Sequence, residues 1–300
     1  MDSSNSKKLK RLKKTAVAYS FLAPSLTGLL LFTLFPVVLS LVTSFSEWNF
    51  VAGFGGIKFV GLKNYADLFR DVWFLASLKN SFIFAFATVP LTMAIALVIA
   101  VIVDRYVYGK GIVRLMVYIP NILSAVVSSY IWKILLSRKG ALTVFLSKLL
   151  GPDLPPWLGD PNWAFPAIIV MSIWGGIGYV FILYLSGLQN IPETLYEAAE
   201  LDGAGGVTMF RNITVPMLAP ISFFILVTQI IFSFRVFAQI QILTQGGPGM
   251  ATTVTAFYVY VTAFRYFKMG YASAMTWILF VVIFAFTMIQ WRIQKKGELQ

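Results

Sequence analysis

Residues 189–220 read QNIPETLYEAAELDGAGGVTMFRNITVPMLAP, a stretch that carries four of the twelve acidic residues of the chain. These acidic residues are Glu193, Glu197, Glu200 and Asp202. The three glutamates are spaced four and three residues apart, so they share one face of a helix. Pro192 suits the first turn of that helix, and Gly203 ends it because glycine accepts the left-handed cap conformation at little cost. The stretch therefore predicts a helix, a glycine turn and a second short helix, at about 206–212, that leads to Pro216.

Apolar runs without charge flank this stretch and recur along the chain. Of the 300 residues, 58% are hydrophobic and only 12% are charged, whereas roughly 25% are charged in ordinary soluble domains. Uncharged windows cover residues 15–46, 80–103, 115–132, 161–192, 212–234, 236–264 and 269–291. A spanning helix needs about 20 mostly apolar residues. Six windows meet or nearly meet this length with an apolar composition. The window 236–264 does not, because glutamines and glycines fill its middle, and residues 251–264 are then predicted to be an external or re-entrant segment. The sequence predicts an all-α polytopic membrane protein with six transmembrane helices.

Basic residues at the two ends orient the predicted spans. Six lysines and arginines between Lys7 and Lys14 precede the first span, and further basic residues follow the last span from Arg292 onward. Basic residues that flank spans favour the cytoplasmic side, so both termini and the acidic stretch are predicted to be cytoplasmic. The corresponding domain organisation is a basic tail at 1–15, a single transmembrane permease domain at 16–291 and a basic tail at 292–300.

Composition and motif content argue against several classes of function. The net charge is +12, but the basic residues lie at the ends of apolar runs, which is typical of membrane anchoring rather than of a nucleic-acid groove. The chain has no cysteine and no histidine, so it lacks thiol chemistry and the commonest general base and metal ligand. It also lacks the Gly-x-x-x-x-Gly-Lys-[Ser/Thr] loop that binds ATP phosphates. We therefore predict no enzyme activity, no metal and no bound cofactor.

The order of residues around Glu197 resembles a known signature. Glu197-Ala198-Ala199, then Gly203, Ile213 and Val215-Pro216 resemble the EAA loop of ATP-binding cassette importer permeases of the type I fold, although the family usually has leucine in place of Val215. The resemblance implies that this loop docks on a separate ATPase subunit, which binds ATP and Mg. It also implies that Glu197 meets a basic group of the ATPase, that the alanines allow close packing and that Gly203 holds the turn. The implied coupling residues are Glu193, Glu197, Ala198, Ala199, Glu200, Asp202, Gly203 and Pro216.

Another set of residues resembles one branch of that family. The set is Thr244-Gln245-Gly246-Gly247-Pro248, Ala251-Thr252, Tyr260, Ala263-Phe264 and Gly270-Tyr271-Ala272-Ser273-Ala274. It resembles the first permease subunit of carbohydrate importers for oligosaccharides and glycerol phosphates. The resemblance implies a sugar substrate and a place in the cytoplasmic membrane of a bacterium or archaeon. The implied partners are a second, non-identical permease, an ATPase dimer and an extracytoplasmic solute-binding protein.

Polar groups within the predicted spans are candidates for a transport path, because such groups are costly in lipid and usually face the protein interior. Spans four and five each carry one such face by helical spacing. The residues of these faces are Ser172, Gly176, Tyr179, Gln229, Phe232 and Ser233. Aromatic rings beside hydroxyl and amide groups suit a sugar. Small and hydroxyl residues also pack membrane helices together, and that alternative stays open.

Two further polar residues lie in or at the end of predicted spans. Arg235 is predicted at the outer end of span five, with no acidic neighbour in sequence. It either snorkels to the outer interface or contacts a partner subunit or an anionic substrate group. Asn121, beside Pro120 in span three, is a weaker candidate for the path.

Two other classes of membrane protein provide alternatives. A stand-alone secondary transporter would show inverted repeats and acidic residues within the membrane for coupling, but no acidic residue lies inside a predicted span. A membrane-embedded enzyme would need paired carboxylates, histidine or cysteine. The sequence disfavours both.

Overall fold

The computed structural model describes residues 2–297, which are mostly helical. The helices are α1 (Asp2–Leu29), α2 (Phe35–Ser44), α3 (Lys63–Leu68), α4 (Val72–Tyr106), α5 (Lys110–Ile122), α6 (Ala125–Leu135), α7 (Ala141–Leu150), α8 (Ala164–Leu188), α9 (Glu193–Leu201), α10 (Gly206–Met209), α11 (Val215–Met217), α12 (Ala219–Phe234), α13 (Ala238–Leu243), α14 (Thr255–Tyr260) and α15 (Met269–Gly297). Three π-helical turns lie at Leu30–Leu34, Phe210–Thr214 and Val261–Arg265. Two short antiparallel strands, β1 (Ser46–Glu47) and β2 (Lys58–Phe59), pair with each other.

Helices long and apolar enough to cross a membrane occur at five places in the described residues. They are Val17–Ser44, Val72–Arg105, Ala164–Leu188, Ala219–Leu243 and Met269–Gln294. The pair α5 and α6 also passes the same test as one broken span, which brings the total to six. The prediction of an all-α membrane protein with six spans is confirmed.

The third span differs from the continuous helix that its uncharged window predicts. α5 and α6 are bent by 94° relative to each other at a short break. The break follows Pro120, and Ser124 then starts a new helix by accepting a hydrogen bond from the Val127 amide at 3.2 Å. A serine at this position caps a helix N-terminus. The span is therefore built from two short helices rather than one.

The second span begins earlier than the sequence indicates. A short helix at about 65–73 followed by a span from residue 80 is the sequence-based expectation, but α4 already starts at Val72. Asp71 sets this start, because its Oδ1 accepts hydrogen bonds from the amides of Trp73 at 2.8 Å and Phe74 at 3.1 Å. Such side-chain caps satisfy the free amides of a first turn.

The chain divides into two compact units, one of which comprises the residues up to Ala66 together with Thr262–Trp277. In this unit Asn64 Nδ2 donates to the Ser46 carbonyl oxygen at 2.9 Å. A Cβ atom at Gly270 would collide with the same oxygen, so glycine is required for this close approach. These contacts fix the β1–β2 ribbon on the first turn of α15.

The second unit, Asp67–Val261 with the residues from Ile278 onward, contains both regions of the candidate site. In it α4 packs along α8, α5 packs on α8 and α12 packs on α4. A Cβ atom at Gly178 of α8 would lie 2.7 Å from the Val117 carbonyl oxygen of α5, so glycine allows the two helices to approach. Side chains of α4, α8 and α12 together bury the main hydrophobic cluster of this unit.

Candidate functional site

The acidic stretch forms an exposed helix followed by a glycine turn. α9 runs from Glu193 to Leu201, and Gly203 then takes a left-handed φ of +78°. The Ala204 amide donates to the Ala199 carbonyl oxygen at 2.9 Å, which is the closing hydrogen bond of a Schellman cap. The glutamates of α9, Asp202 and Gly203 are all exposed. This acidic face is open to a partner, and its role in ATPase docking stays a prediction.

Two details of this stretch differ from the sequence-based expectation. Pro192 precedes α9 as its N-cap residue and does not belong to the first turn. The second helix does not end before Pro216, because α10, the π-helical turn Phe210–Thr214 and α11 follow one another directly. A proline inside a helix removes a hydrogen bond and crowds the preceding turn, and the wider π-helical turn provides room for it.

Two cavities in the second unit bring the predicted path residues together. Their volumes are about 460 Å³ and about 450 Å³, and Ser172, Gly176, Gln229 and Phe232 line both of them. Ser233 lines only the first cavity, and Tyr179 lines only the second. Asn121 also lines the second cavity, where its Nδ2 lies 3.4 Å from the Gly175 carbonyl oxygen. The two helix faces chosen from sequence therefore meet in space, and their contact with a substrate stays a prediction.

The side chains on these walls differ in how free they are to bind a ligand. Ser172 Oγ and Ser233 Oγ both donate to carbonyl oxygens of their own helices at 2.8 Å, so their lone pairs rather than their protons remain for a ligand. Ser233 is buried, Tyr179 and Gln229 are half-buried, and the Phe232 ring is 57% exposed. Among the six predicted path residues, Tyr179 and Gln229 thus carry the polar groups that are most available to a ligand.

The structure corrects the position of Arg235. The fifth span does not end there, because it continues through α13 to Leu243. Arg235 is the C-cap residue of α12, at the point where the span breaks, and it is exposed on the wall of the first cavity. Among the described residues it is the only charged residue that lines either cavity. A cation within a span usually faces an aqueous or protein interior, which favours a contact with a partner or a substrate over snorkelling to the outer interface.

Several lining residues were missed in the sequence. Thr88 and Thr92 of α4, Ser128 of α6 and Gln239 of α13 all contribute to the cavity walls. The threonines lie four residues apart on an apolar span, which is the same polar-face signal that selected spans four and five. Gln239 falls in the polar middle of the window 236–264, which was not predicted to span, so its position was not available from spacing alone.

Comparison with known families decides what kind of protein carries this site. The sequence profile described as "Binding-protein-dependent transport system inner membrane component" matches residues 72–296. The chain belongs to this family. It is therefore a multi-pass inner-membrane permease component of an ATP-binding cassette importer and not an enzyme, as predicted. Membership also implies a binding protein and an ATPase as partners.

Individual relatives of this permease match it over nearly its whole length. It is 33% identical over 295 residues to the trehalose/maltose transport system permease protein MalF of Thermococcus litoralis, with coverage of 96% of this chain and 97% of MalF. It is 31% identical over 297 residues to the probable starch degradation products transport system permease protein AmyD of Thermoanaerobacterium thermosulfurigenes, with coverage of 98% and 99%. A crystal structure of a bacterial alginate ABC transporter, in complex with an alginate pentasaccharide-bound periplasmic protein, matches with a TM-score of 0.80, 25% identity and 94% coverage of both chains.

Proposed function

We propose that this permease passes a carbohydrate, an oligosaccharide or a related sugar, from an extracytoplasmic binding protein into the cytoplasm. Relatives named for trehalose/maltose and for starch degradation products cover almost the whole chain, which supports this substrate class. The observation that carries the proposal is the meeting of two polar, aromatic faces at the cavities beside α8 and α12. Rings bind the apolar faces of a sugar, and hydroxyl and amide groups bind its hydroxyls.

The partners we propose complete a heteromeric importer. A second, non-identical permease pairs with this one, and an ATPase dimer binds ATP and Mg, so this chain needs no cofactor of its own. The ATPase docks on the coupling residues of the acidic stretch. The exposed glutamates of α9 and the small Ala198 and Ala199 support this assignment, because they offer an unpaired charged face with room for close packing. Residues 16–291 act as the single permease domain, with a basic tail at each end.

Arg235 contacts either the second permease or an anionic group of the substrate. Its exposure at the first cavity supports both assignments, since a cation that faces a cavity within a span needs a compensating group. Uptake by an Arg235→Gln variant separates them. A loss of uptake that is confined to charged sugars identifies a substrate contact. Loss of the second permease when the variant is purified identifies a subunit contact.

Transport assays on cavity variants test the proposed path. Tyr179→Ala and Gln229→Ala each remove an accessible polar group, and we expect sugar uptake to fall by about tenfold, because an unpaired hydrogen-bonding partner costs roughly 1–3 kcal/mol. Ile182→Ala and Thr228→Ala are matched controls, since both residues lie on the same two helices but outside the cavity walls. Stimulation of ATP hydrolysis by the binding protein should persist in all four variants. Normal uptake in both cavity variants would assign these faces to helix packing.

A separate experiment tests the subunit composition. Purification of the tagged permease in a mild detergent should bring down an ATPase and a second permease in stoichiometric amounts. Recovery of the chain alone in an uptake-competent form would instead support the secondary-transporter alternative and contradict the importer assembly.

A further inference from the structure

One side chain of α9 connects the exposed docking helix to the body of the permease. α9 has nine residues, and its glutamates face solvent. Of these nine residues, all of which the structure describes, only Tyr196 packs against the main hydrophobic cluster of the second unit. Leu195 and Leu201 of the same helix are 41% and 90% exposed. The aromatic ring of Tyr196 is therefore the hydrophobic anchor of the docking helix.

The two ends of the Tyr196 side chain contact two different parts of the membrane domain. The Arg105 guanidinium carbon, near the end of α4, lies 4.4 Å from the centre of the Tyr196 ring, a distance typical of a cation–π interaction. The Tyr196 hydroxyl makes a hydrogen bond of 2.9 Å with Thr214 Oγ1, at the end of the π-helical turn before α11. Thr214 is buried, so this hydrogen bond is shielded from competition by water. Tyr196 thus joins α9 to the second span and to the base of the fifth.

The cluster that receives Tyr196 extends towards the cavities. It contains Ala100 and Val103 of α4 and Tyr184 and Leu188 of α8, in close packing. Tyr179, which packs on the same cluster, also lines the second cavity. Packed interiors respond to displacement by shifting between discrete arrangements rather than by deforming continuously. Continuous packing along α8 therefore links Tyr196 to the wall of the second cavity.

We propose that Tyr196 is a positioning residue that transmits movement of the docked ATPase to the second and fifth spans, through its contacts with Arg105 and Thr214. This inference rests on the proposed docking of an ATPase at α9. Its role differs from that of the glutamates, which face solvent and would hold the ATPase. Loss of Tyr196 should therefore uncouple ATP hydrolysis from transport without releasing the ATPase.

The experiment compares three variants in the complete importer reconstituted in proteoliposomes. Tyr196→Leu keeps an apolar side chain but removes both contacts. Tyr196→Phe keeps the ring over Arg105 and removes only the hydroxyl. Arg105→Gln removes the cation from an exposed position, so it leaves the hydrophobic cluster intact and remains informative if Tyr196→Leu does not assemble. The readouts are ATPase retention on purification, ATP hydrolysis with and without the binding protein, and sugar uptake.

The expected result is a rise in the number of ATP molecules hydrolysed per sugar transported. For Tyr196→Leu we expect this ratio to rise about tenfold, in the range of mutations that alter coupling between sites, with ATPase retention unchanged. Tyr196→Phe should recover most of the coupling, and Arg105→Gln should show an intermediate loss. The double variant Tyr196→Leu, Arg105→Gln should be no worse than Tyr196→Leu, because the two residues act through one contact.

An unchanged ratio in both Tyr196→Leu and Arg105→Gln would overturn the proposal. Equal loss of uptake and hydrolysis together with loss of the ATPase would also overturn it, because Tyr196 would then only stabilise the docking surface. If the wild-type complex shows hydrolysis stimulated by the binding protein but no carbohydrate uptake, the proposed substrate class fails. In that case the role of Tyr196 is still decided by another ratio, that of ATP hydrolysis with the binding protein to ATP hydrolysis without it in each variant.

Discussion

α9 and the glycine-rich segment at residues 244–254 both lie between membrane spans, but they are held in opposite ways. In the part of the chain that the structure describes, Tyr196 is the one side chain of α9 that packs on the main hydrophobic cluster. The glycine-rich segment is fixed by an internal network in which the Thr252 and Thr253 hydroxyls donate to backbone carbonyl oxygens at 2.8 and 2.9 Å. Asn80 of α4 adds hydrogen bonds from its Nδ2 to two further carbonyl oxygens of the segment.

From this difference we expect α9 to shift more easily than the glycine-rich segment. A helix with one anchoring side chain can tilt or shift when its exposed face is pulled, whereas a loop with many satisfied backbone groups resists displacement. The glycine-rich segment also carries Gln245 in the left-handed region, with φ of 53°, which only a well-determined surrounding maintains. Variants in the two regions should therefore affect different properties of the protein.

The largest effect is expected at Gly246 of the glycine-rich segment. A Cβ atom there would lie 2.7 Å from both Phe257 Cε1 and Thr253 Oγ1, and the backbone has a φ of +86°. We expect Gly246→Ala to lower the free energy of unfolding by roughly 3 kcal/mol, from overpacking and backbone strain together. Thermal denaturation of the purified protein in detergent measures this loss of stability. A stability within about 0.5 kcal/mol of wild type would show that the segment is less rigid than its contacts indicate.

Reversal of charge on α9 should affect function rather than stability. Glu197→Lys places a cation where the proposed docking partner carries a basic group, and like charges at an interface cost several kcal/mol, so uptake should fall by about a hundredfold. Membrane insertion and thermal stability should match wild type, because Glu197 is exposed and lies outside the spans. Uptake at the wild-type rate would remove Glu197 from the docking surface.

Asn80 tests the attachment of the glycine-rich segment to α4. Its Nδ2 lies 2.9 Å from the Met250 carbonyl oxygen and 3.0 Å from that of Thr253. Asn80→Ala leaves both acceptors without this donor, and we expect a loss of about 2 kcal/mol in stability. Asn190→Ala is the matched control, since Asn190 Nδ2 bonds only within its own exposed turn. A similar loss in both variants would mean that the attachment to α4 contributes little.

The smallest effect is expected at the glycine turn after α9. Gly203 has a φ of +78° but open space around its position, so Gly203→Ala costs only the backbone penalty of about 1 kcal/mol. We expect about a fivefold weaker retention of the ATPase, because the docking helix is less well capped. Gly205→Ala, at a φ of −73° and also in open space, should behave like wild type. Equal behaviour of the two variants would show that the cap does not matter for docking.

The features that were predictable from the sequence depend on local chemistry. The spans follow from uncharged apolar runs, and the helix α9 follows from its glutamate spacing and from Gly203. The faces that meet at the cavities were visible as polar residues at helical spacing. Each of these signals extends over a few turns of one helix, so the residues that produce it are close together along the chain.

The features that were not predictable depend on partners far away in the chain. Pro120 and Ser124 mark the break between α5 and α6 locally, but α5 packs on α8, and α6 packs on α13, the helix that continues the fifth span past Arg235. Tyr196 gave no signal in sequence, because Arg105 precedes it by about 90 residues and only the fold places the guanidinium over its ring. Contacts of this kind are set by tertiary structure and not by local spacing.

The broken third span has a consequence for the order in which the protein is made. α5 has 13 residues and α6 has 11, so at about 1.5 Å per residue they extend only about 20 Å and about 17 Å. Each is too short to cross a hydrocarbon core of about 30 Å. The surface on which α5 packs belongs to α8, which leaves the ribosome later. We therefore expect the third span to wait at the membrane interface during synthesis and to insert together with the fourth.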